Sequence, residues 1–411
     1  MPAGSTSSAA PAASAAPGAI VVAVAADPRE PAGPRAAELE RQLSAGLEGR
    51  PVTVLVPAAL PERALVAPGD PRASGRSVPA ADLAAGGVTG RHSPLGALLA
   101  EAARRDAAAV ALVSGAGREE GAGWLRDLLA PILDGGFEFA CPTYRRGRFE
   151  GLLGTAILYP LTRALYGVRL RQPAGAEAAL SLGLARDLLA SPDWRRDPAR
   201  AGSDAWLVAE VLAGRRRACQ VWLEEWPGDG GLPEEASHAL ARIVGPVFRE
   251  LELRADRWQR VEGSEPAPTF GPAGPRAAGP DGVDVGGLAG RFRLGLRELD
   301  ELWGLVLPPA TRLALRRAAA APDEGLRLED GLWARVVYDF AVAWYTRTVE
   351  RQQLLRSMTP LYLGWVAGFA NDLRGLDAAA SEVRVEALAA AFEREKRYLI
   401  GRWRWPDGFN P

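Results

Sequence analysis

Residues 94–142 read PLGALLAEAARRDAAAVALVSGAGREEGAGWLRDLLAPILDGGFEFACP, and two helix-strand alternations lie in that one stretch. Apolar residues recur three and four apart over 94–105, then run without a break from 108 to 114. The same pair returns as helical spacing over 121–133 and an apolar run over 137–142. A helix-length segment followed by a short, nearly all-apolar strand is the signature of a parallel sheet covered on both faces. Working outward, residues 20–25 and 52–56 read as two earlier strands joined by a helix over 36–47, and 57–89 weaken into a Pro/Gly/Ala loop. On the other side, 152–166 reads as helix, 168–175 as irregular, 181–190 and 204–213 as helices, and 218–223 as a last strand. The expected fold class is therefore α/β, a mostly parallel Rossmann-like sheet.

Past Pro227-Gly-Asp-Gly-Gly the pattern turns helical. Leu240, Ile243, Val247 and Leu251 would share one face, and further amphipathic segments cover 292–305, 310–320, 330–356, 360–373 and 382–403. The expected organisation is an Ala/Ser/Pro-rich tail at 1–18, an α/β domain at 19–230, a helical connection at 231–262, a Pro/Gly-rich linker at 263–288 and a C-terminal helical domain at 289–411.

Composition narrows the function. The 411 residues carry 49 basic and 50 acidic side chains, a net charge of -1, so the bulk attraction of a nucleic-acid binder is missing. Two cysteines and two histidines make neither a disulfide framework nor a conventional zinc site. No apolar run approaches the ~20 residues of a membrane span, and no basic residue precedes the apolar run at 19–26 as in a secretory signal. A cytoplasmic location is expected. GxxxxGK[ST] is absent, which excludes a P-loop, and no GxGxxG follows the first strand.

In such a sheet, ligands bind beyond the carboxyl ends of the strands. Ser114-Gly115-Ala116-Gly117 follows the third strand, and Arg145, Arg146 and Arg148 follow the fourth, where guanidinium forks can meet a pyrophosphate or simply line a solvated loop. Gly90-Arg91-His92-Ser93 reads either as an anion-binding turn or as an N-cap, with Ser93 capping and Pro94 at the first helical position. His238 is expected on a helix surface, and Cys141 and Cys219 as small core residues. Seven of the twelve tryptophans fall between 258 and 405, where core packing is expected, with Trp403 and Trp405 as an exposed pair.

Leu128 to Tyr144 (LLAPILDGGFEFACPTY), Tyr159 to Gly167 (YPLTRALYG), Arg171 to Glu177 (RQPAGAE) and Gly202 to Trp206 (GSDAW) together resemble bacterial glycosyltransferases of the GT-A fold. The subgroup is that of glucosyl-3-phosphoglycerate and mannosylglycerate synthases. The resemblance is strong over 128–219 and extends into the helical half through 336–340, 355–364 and 392–403. It implies retaining transfer of a sugar from a nucleotide sugar to a small hydroxyl acceptor such as glycerate or phosphoglycerate. It places donor contacts at Arg91, Ser114, Arg145 and Arg146, acceptor contacts at Arg171, Gln172, Glu177 and Asp204, and catalysis at Asp204 and Glu177; Asp204 also fits a helix N-cap. The family's Mg²⁺ or Mn²⁺ is held by Asp-x-Asp, yet 113–117 contains no carboxylate here, and Glu119 and Glu120 are the nearest in sequence. Three readings follow: a transferase that offsets diphosphate charge with arginine, an inactive homologue that partners an active paralogue, or a sugar-binding module that uses only the acceptor pocket. A homo-oligomer is compatible with each.

Overall fold

The computed structural model describes residues 18–24, 40–42, 50–57, 65–67, 76–77, 94–113, 123–173, 177–197, 200–223, 236–272 and 282–406. Its first part is a nine-stranded sheet. Strands β1 (Ile20–Val24), β2 (Val52–Pro57), β3 (Leu65–Ala67), β4 (Arg76–Ser77), β5 (Ala109–Val113), β6 (Phe139–Tyr144), β8 (Ala178–Ser181), β9 (Ala218–Leu223) and β11 (Thr269–Phe270) lie in the order β11-β9-β6-β8-β5-β1-β2-β3-β4. β2, β1 and β5 run parallel, as do β6, β9 and β11, while β8 is wedged antiparallel between β5 and β6. A separate parallel pair joins β7 (Val168–Arg169) to β10 (Glu265–Pro266).

Side-chain alternation explains why these strands are apolar throughout. Val21, Ala23, Val110, Cys141 and Leu180 face helices α1 (Pro94–Arg105), α4 (Leu182–Leu189) and α6 (Asp204–Ala213), the last two separated by the short α5 (Asp193–Arg196). Ile20, Val22, Ala109, Ala111, Ala140 and Ala179 face α2 (Gly123–Leu133) through Leu125, Leu128, Leu129 and Ile132. With helices on both faces β6 is buried at every position and β5 at all but Leu112, so a period of two has no polar partner to reveal it there, while β9 alternates buried and half-buried positions.

The strands expected at 108–114 and 218–223 and the helix expected at 94–105 form within a residue of those bounds. The helix expected at 36–47 is seen only at 40–42, its remainder lying outside the described residues. β8 is new: the sequence assigns residues 178–180 to no element and places Ser181 in the helix at 181–190, whereas Ala178–Ser181 complete the sheet before α4 begins at Leu182. The helix expected over 152–166 contains a π-helical segment, Gly154–Leu158, ahead of α3 (Tyr159–Tyr166). The Pro/Gly-rich stretch carries β10 and β11, which return to the α/β half.

The helical body comprises α7 (Ala236–Leu253), α8 (Ala255–Trp258), α9 (Val285–Glu298), α10 (Asp300–Val306), α11 (Pro309–Ala319), α12 (Asp330–Thr346), α13 (Arg351–Ser357), α14 (Thr359–Asp372) and α15 (Ala378–Arg404). The single helix expected over 330–356 is broken: Arg347 adopts φ +55° and ends α12. α9 and α14 approach closely because Gly364 leaves room for the Phe292 ring, which a Cβ would meet at 2.6 Å. One core joins these helices to Tyr159, Leu161 and Leu165 of α3. Arg384 ties three of them by bonding Asp330 on α12 (2.6 and 3.0 Å) and Asp372 on α14 (2.9 and 3.0 Å). Trp403 departs from its expected exposure. It is buried, stacked on Tyr345 at 4.4 Å and edge-on to Trp258 at 5.4 Å, while Trp405 is 75% exposed.

Candidate functional site at the carboxyl edge of the sheet

β1, β5, β6 and β9 end at one edge, and antiparallel β8 begins there. Leu112 pairs with Ala178, so Glu177, one residue earlier, sits beside Val113 at the end of β5. A carboxylate therefore does reach this strand end, delivered by a neighbouring strand. Residues 114–122, with Ser114, Glu119 and Glu120, and residue Arg91 lie outside the described residues.

Glu177 and Tyr144 are both 2% exposed, and the Tyr144 hydroxyl donates a short hydrogen bond to the Glu177 carboxylate. Gln172 clamps the same residue from its backbone: its Oε1 accepts from the Tyr144 N–H at 3.4 Å and its Nε2 donates to the Tyr144 carbonyl at 3.3 Å. Gln220 on β9 braces the next layer. Its Oε1 accepts from the Arg171 N–H at 2.9 Å and the Thr143 hydroxyl at 3.2 Å, and its Nε2 donates to Thr269 Oγ1 at 3.0 Å. The end of β6 is thus fixed from three sides just before Arg145 and Arg146 emerge.

Burial pushes the Arg146 guanidinium down to about 10, with the charge of Arg171 adding to the effect; the Tyr144 ring lies under it at 5.7 Å. Two cations held close in a partly desolvated site favour an anionic ligand, since it would relieve the repulsion. Gly151, at φ +63°, permits this placement, because a Cβ there would overlap the Arg146 side chain. Arg171 reaches the helical body: its Nε donates to Glu382 at 3.0 Å and its guanidinium lies 5.3 Å over the Tyr159 ring. Arg148 likewise donates to the Leu373 carbonyl at 3.1 Å.

Arg145, Arg146, Arg171, Gln172 and Glu177 come together at this edge. Asp204 does not join them. It is the first helical residue of α6, with its residue surface exposed and Arg242 of α7 acting on it; desolvation of the carboxyl by surrounding residues raises its pKa and the Arg242 charge acts against the rise. Ser203, not Asp204, is the N-cap, its hydroxyl accepting from the Trp206 N–H at 3.2 Å. The Glu177–Tyr144 pair is closed to solvent. Sequence reasoning passed over Tyr144, Gln220 and Glu382. Tyr144 is the residue just before the two arginines that follow the strand and Gln220 is a polar residue inside an apolar strand, whereas nothing near Glu382 marks it.

Cys141 and Cys219 are buried neighbours across β6 and β9, and burial raises both thiols, Cys219 to about 12, as suits inert core residues. Among the described residues no group of three or more His, Cys, Asp or Glu side chains could hold a metal ion, and no helix is long and apolar enough to cross a membrane. The described part of this edge therefore offers Mg²⁺ or Mn²⁺ no ligand set. Comparison with protein-family models and with characterised proteins returns no match.

Proposed function

We propose that the chain is a GT-A-like glycosyltransferase that takes its nucleoside-diphosphate sugar at the carboxyl edge of the sheet, with Arg145 and Arg146 facing the diphosphate. One observation carries the reading: the end of β6 is clamped by Gln172 and Glu177 so that a half-buried, charge-crowded Arg146 stands where an α/β sheet binds ligands. A parallel sheet with one antiparallel strand at its centre, followed by helices, is compatible with that fold. As the glycosidic bond breaks, negative charge builds on the leaving diphosphate, and a preorganised guanidinium stabilises it without reorganising. Arg171 and Gln172 border the same edge and are assigned to the hydroxyl acceptor, a glycerate-like molecule whose carboxylate suits Arg171. No step is routed through a metal.

Calorimetric titration with UDP- and GDP-sugars, with and without Mn²⁺, tests this. Binding that drops at least tenfold in Arg146→Ala is expected; no binding of any donor overturns it. The inactive-homologue reading is favoured by the lack of a carboxylate at Ser114-Gly115-Ala116-Gly117. Donor binding without turnover would select it.

A further inference from the structure

A second site lies away from the sheet edge. A cleft of about 510 Å³ opens between the turn before α6, one flank of α7, and helices α12 and α13. That volume suits a small molecule and is too small for a folded partner. Its floor is apolar, built by Trp344, Leu355 and the Gly245-Pro246 pair of α7, where glycine brings Leu355 close.

Four arginines line the cleft: Arg200, Arg249, Arg351 and Arg356. Carboxylates behind them fix three of the guanidinium groups. Arg200 bonds Asp193 at 2.5 Å and Glu250 at 2.8 Å, while Arg249 and Arg351 share Glu252 at 3.1 and 2.8 Å. Asp197 is the one carboxylate lining the cleft, 3.8 Å from Arg200 and 3.7 Å from Arg249, and so already compensated. Arg356 is exposed, with no carboxylate in ion-pair distance among the described residues. Donors held in this way bind an oxyanion without first losing rotamer freedom.

Arg200 Nε, Arg351 Nε and Trp344 Nε1 are buried without a hydrogen-bond partner, three of eight such polar atoms among the described residues, and all three belong to side chains of this cleft. Trp344 is 8% exposed, with the Arg351 guanidinium 4.4 Å over its ring. These atoms have essentially no accessible surface and sit behind the cleft wall, Arg200 Nε facing Asp197 at 3.8 Å, so the four guanidinium groups that line the cleft are what an anion would meet. The first turn of α7 adds its positive end through Ser237 and His238.

We propose that this cleft binds a small organic oxyanion, a phosphate monoester or carboxylate whose apolar body rests on Trp344 and Leu355. The test is calorimetry on the full chain with phenyl phosphate, benzoate and inorganic phosphate. Phenyl phosphate or benzoate is expected to bind at least tenfold more tightly than inorganic phosphate. Arg356→Ala should weaken binding at least tenfold without changing the Tm of the unliganded protein, and Arg317→Ala, an exposed arginine on α11, should leave it unchanged. Binding is expected to survive Arg146→Ala, which separates this site from the sheet edge. No binding at millimolar ligand overturns the proposal. So does binding undiminished in both Arg356→Ala and Arg249→Ala, and so does equal affinity for inorganic phosphate, which would mean an ion site with no place for an organic body.

Discussion

The two halves of the molecule are packed by different means. Of the twelve largest fully buried side chains, ten lie in the core of the helical body, among them Trp258, Trp303, Trp333, Trp365, Tyr338 and Phe340, while only Trp206 and Phe139 serve the faces of the sheet. The sheet is filled with Ala and Val, whose small side chains let helices lie close on both sides. Helix against helix leaves wider, irregular gaps that aromatic rings fill at 4.7–5.9 Å, as in Trp365–Phe369 and Trp333–Trp365. A thin core can carry variable strand ends, and a dense one can anchor them: Arg171 and Arg148 at the candidate site both end on the helical body.

The largest test of this contrast is Trp333→Ala, which should cost about 3–5 kcal/mol in denaturant unfolding, against about 2 kcal/mol for Val110→Ala on β5, two methyl groups plus a small residual cavity. Equal losses would break the comparison. Next comes pH. Asp339 is fully buried, and burial raises it from 3.8 to about 6 despite hydrogen bonds from Tyr398 and Arg402 and the charge of Arg335. The folded protein holds this proton up to about pH 6, the unfolded chain releases it near 3.8, so stability is lost as pH rises between them. At ~1.4 kcal/mol for each pKa step, the loss is about 3 kcal/mol. Asp339→Asn should flatten that slope in urea titrations at pH 4 to 7. Gly364→Ala, driving a methyl into Phe292, should cost about 1–3 kcal/mol, whereas Gly183→Ala, whose Cβ meets nothing closer than 3.8 Å, should not destabilise by overpacking. Smallest is Ser203→Ala, about 1 kcal/mol for a lost N-cap, read as a modest fall in Tm.

How legible each part was in the sequence follows from the range of the forces that form it. α1 and β9 are specified by their own residues, Pro94 opening the helix and Ala218–Leu223 forming a short apolar run interrupted only by Gln220. β8 was hidden because Ala178-Ala-Leu-Ser181 has no strand signal of its own and is held by β5 and β6. The break at Arg347 carries neither Gly nor Pro. Trp403 was misplaced because charged neighbours suggest a surface, yet Arg402 is itself buried on Asp339. At the site, Arg145 and Arg146 could be found as residues following a strand. The Glu177–Tyr144 bond and the Arg171–Glu382 pair depend on contacts 33 and 211 positions apart, which no local pattern encodes.

Arg163 gives the architecture a temporal side. It lies on α3 between β6 and β8, 4% exposed, and its partners Glu386 and Glu393 follow it by 223 and 230 residues. On the ribosome, the sheet strands through β9 emerge long before those two carboxylates exist. Until α15 is synthesised, docking α3 would leave Arg163 without either of its carboxylate partners, so its seat in the fold is completed only after residue 393 has been made. At about five to twenty residues per second, that is a delay of roughly ten seconds or more between the cation and the carboxylates that neutralise it.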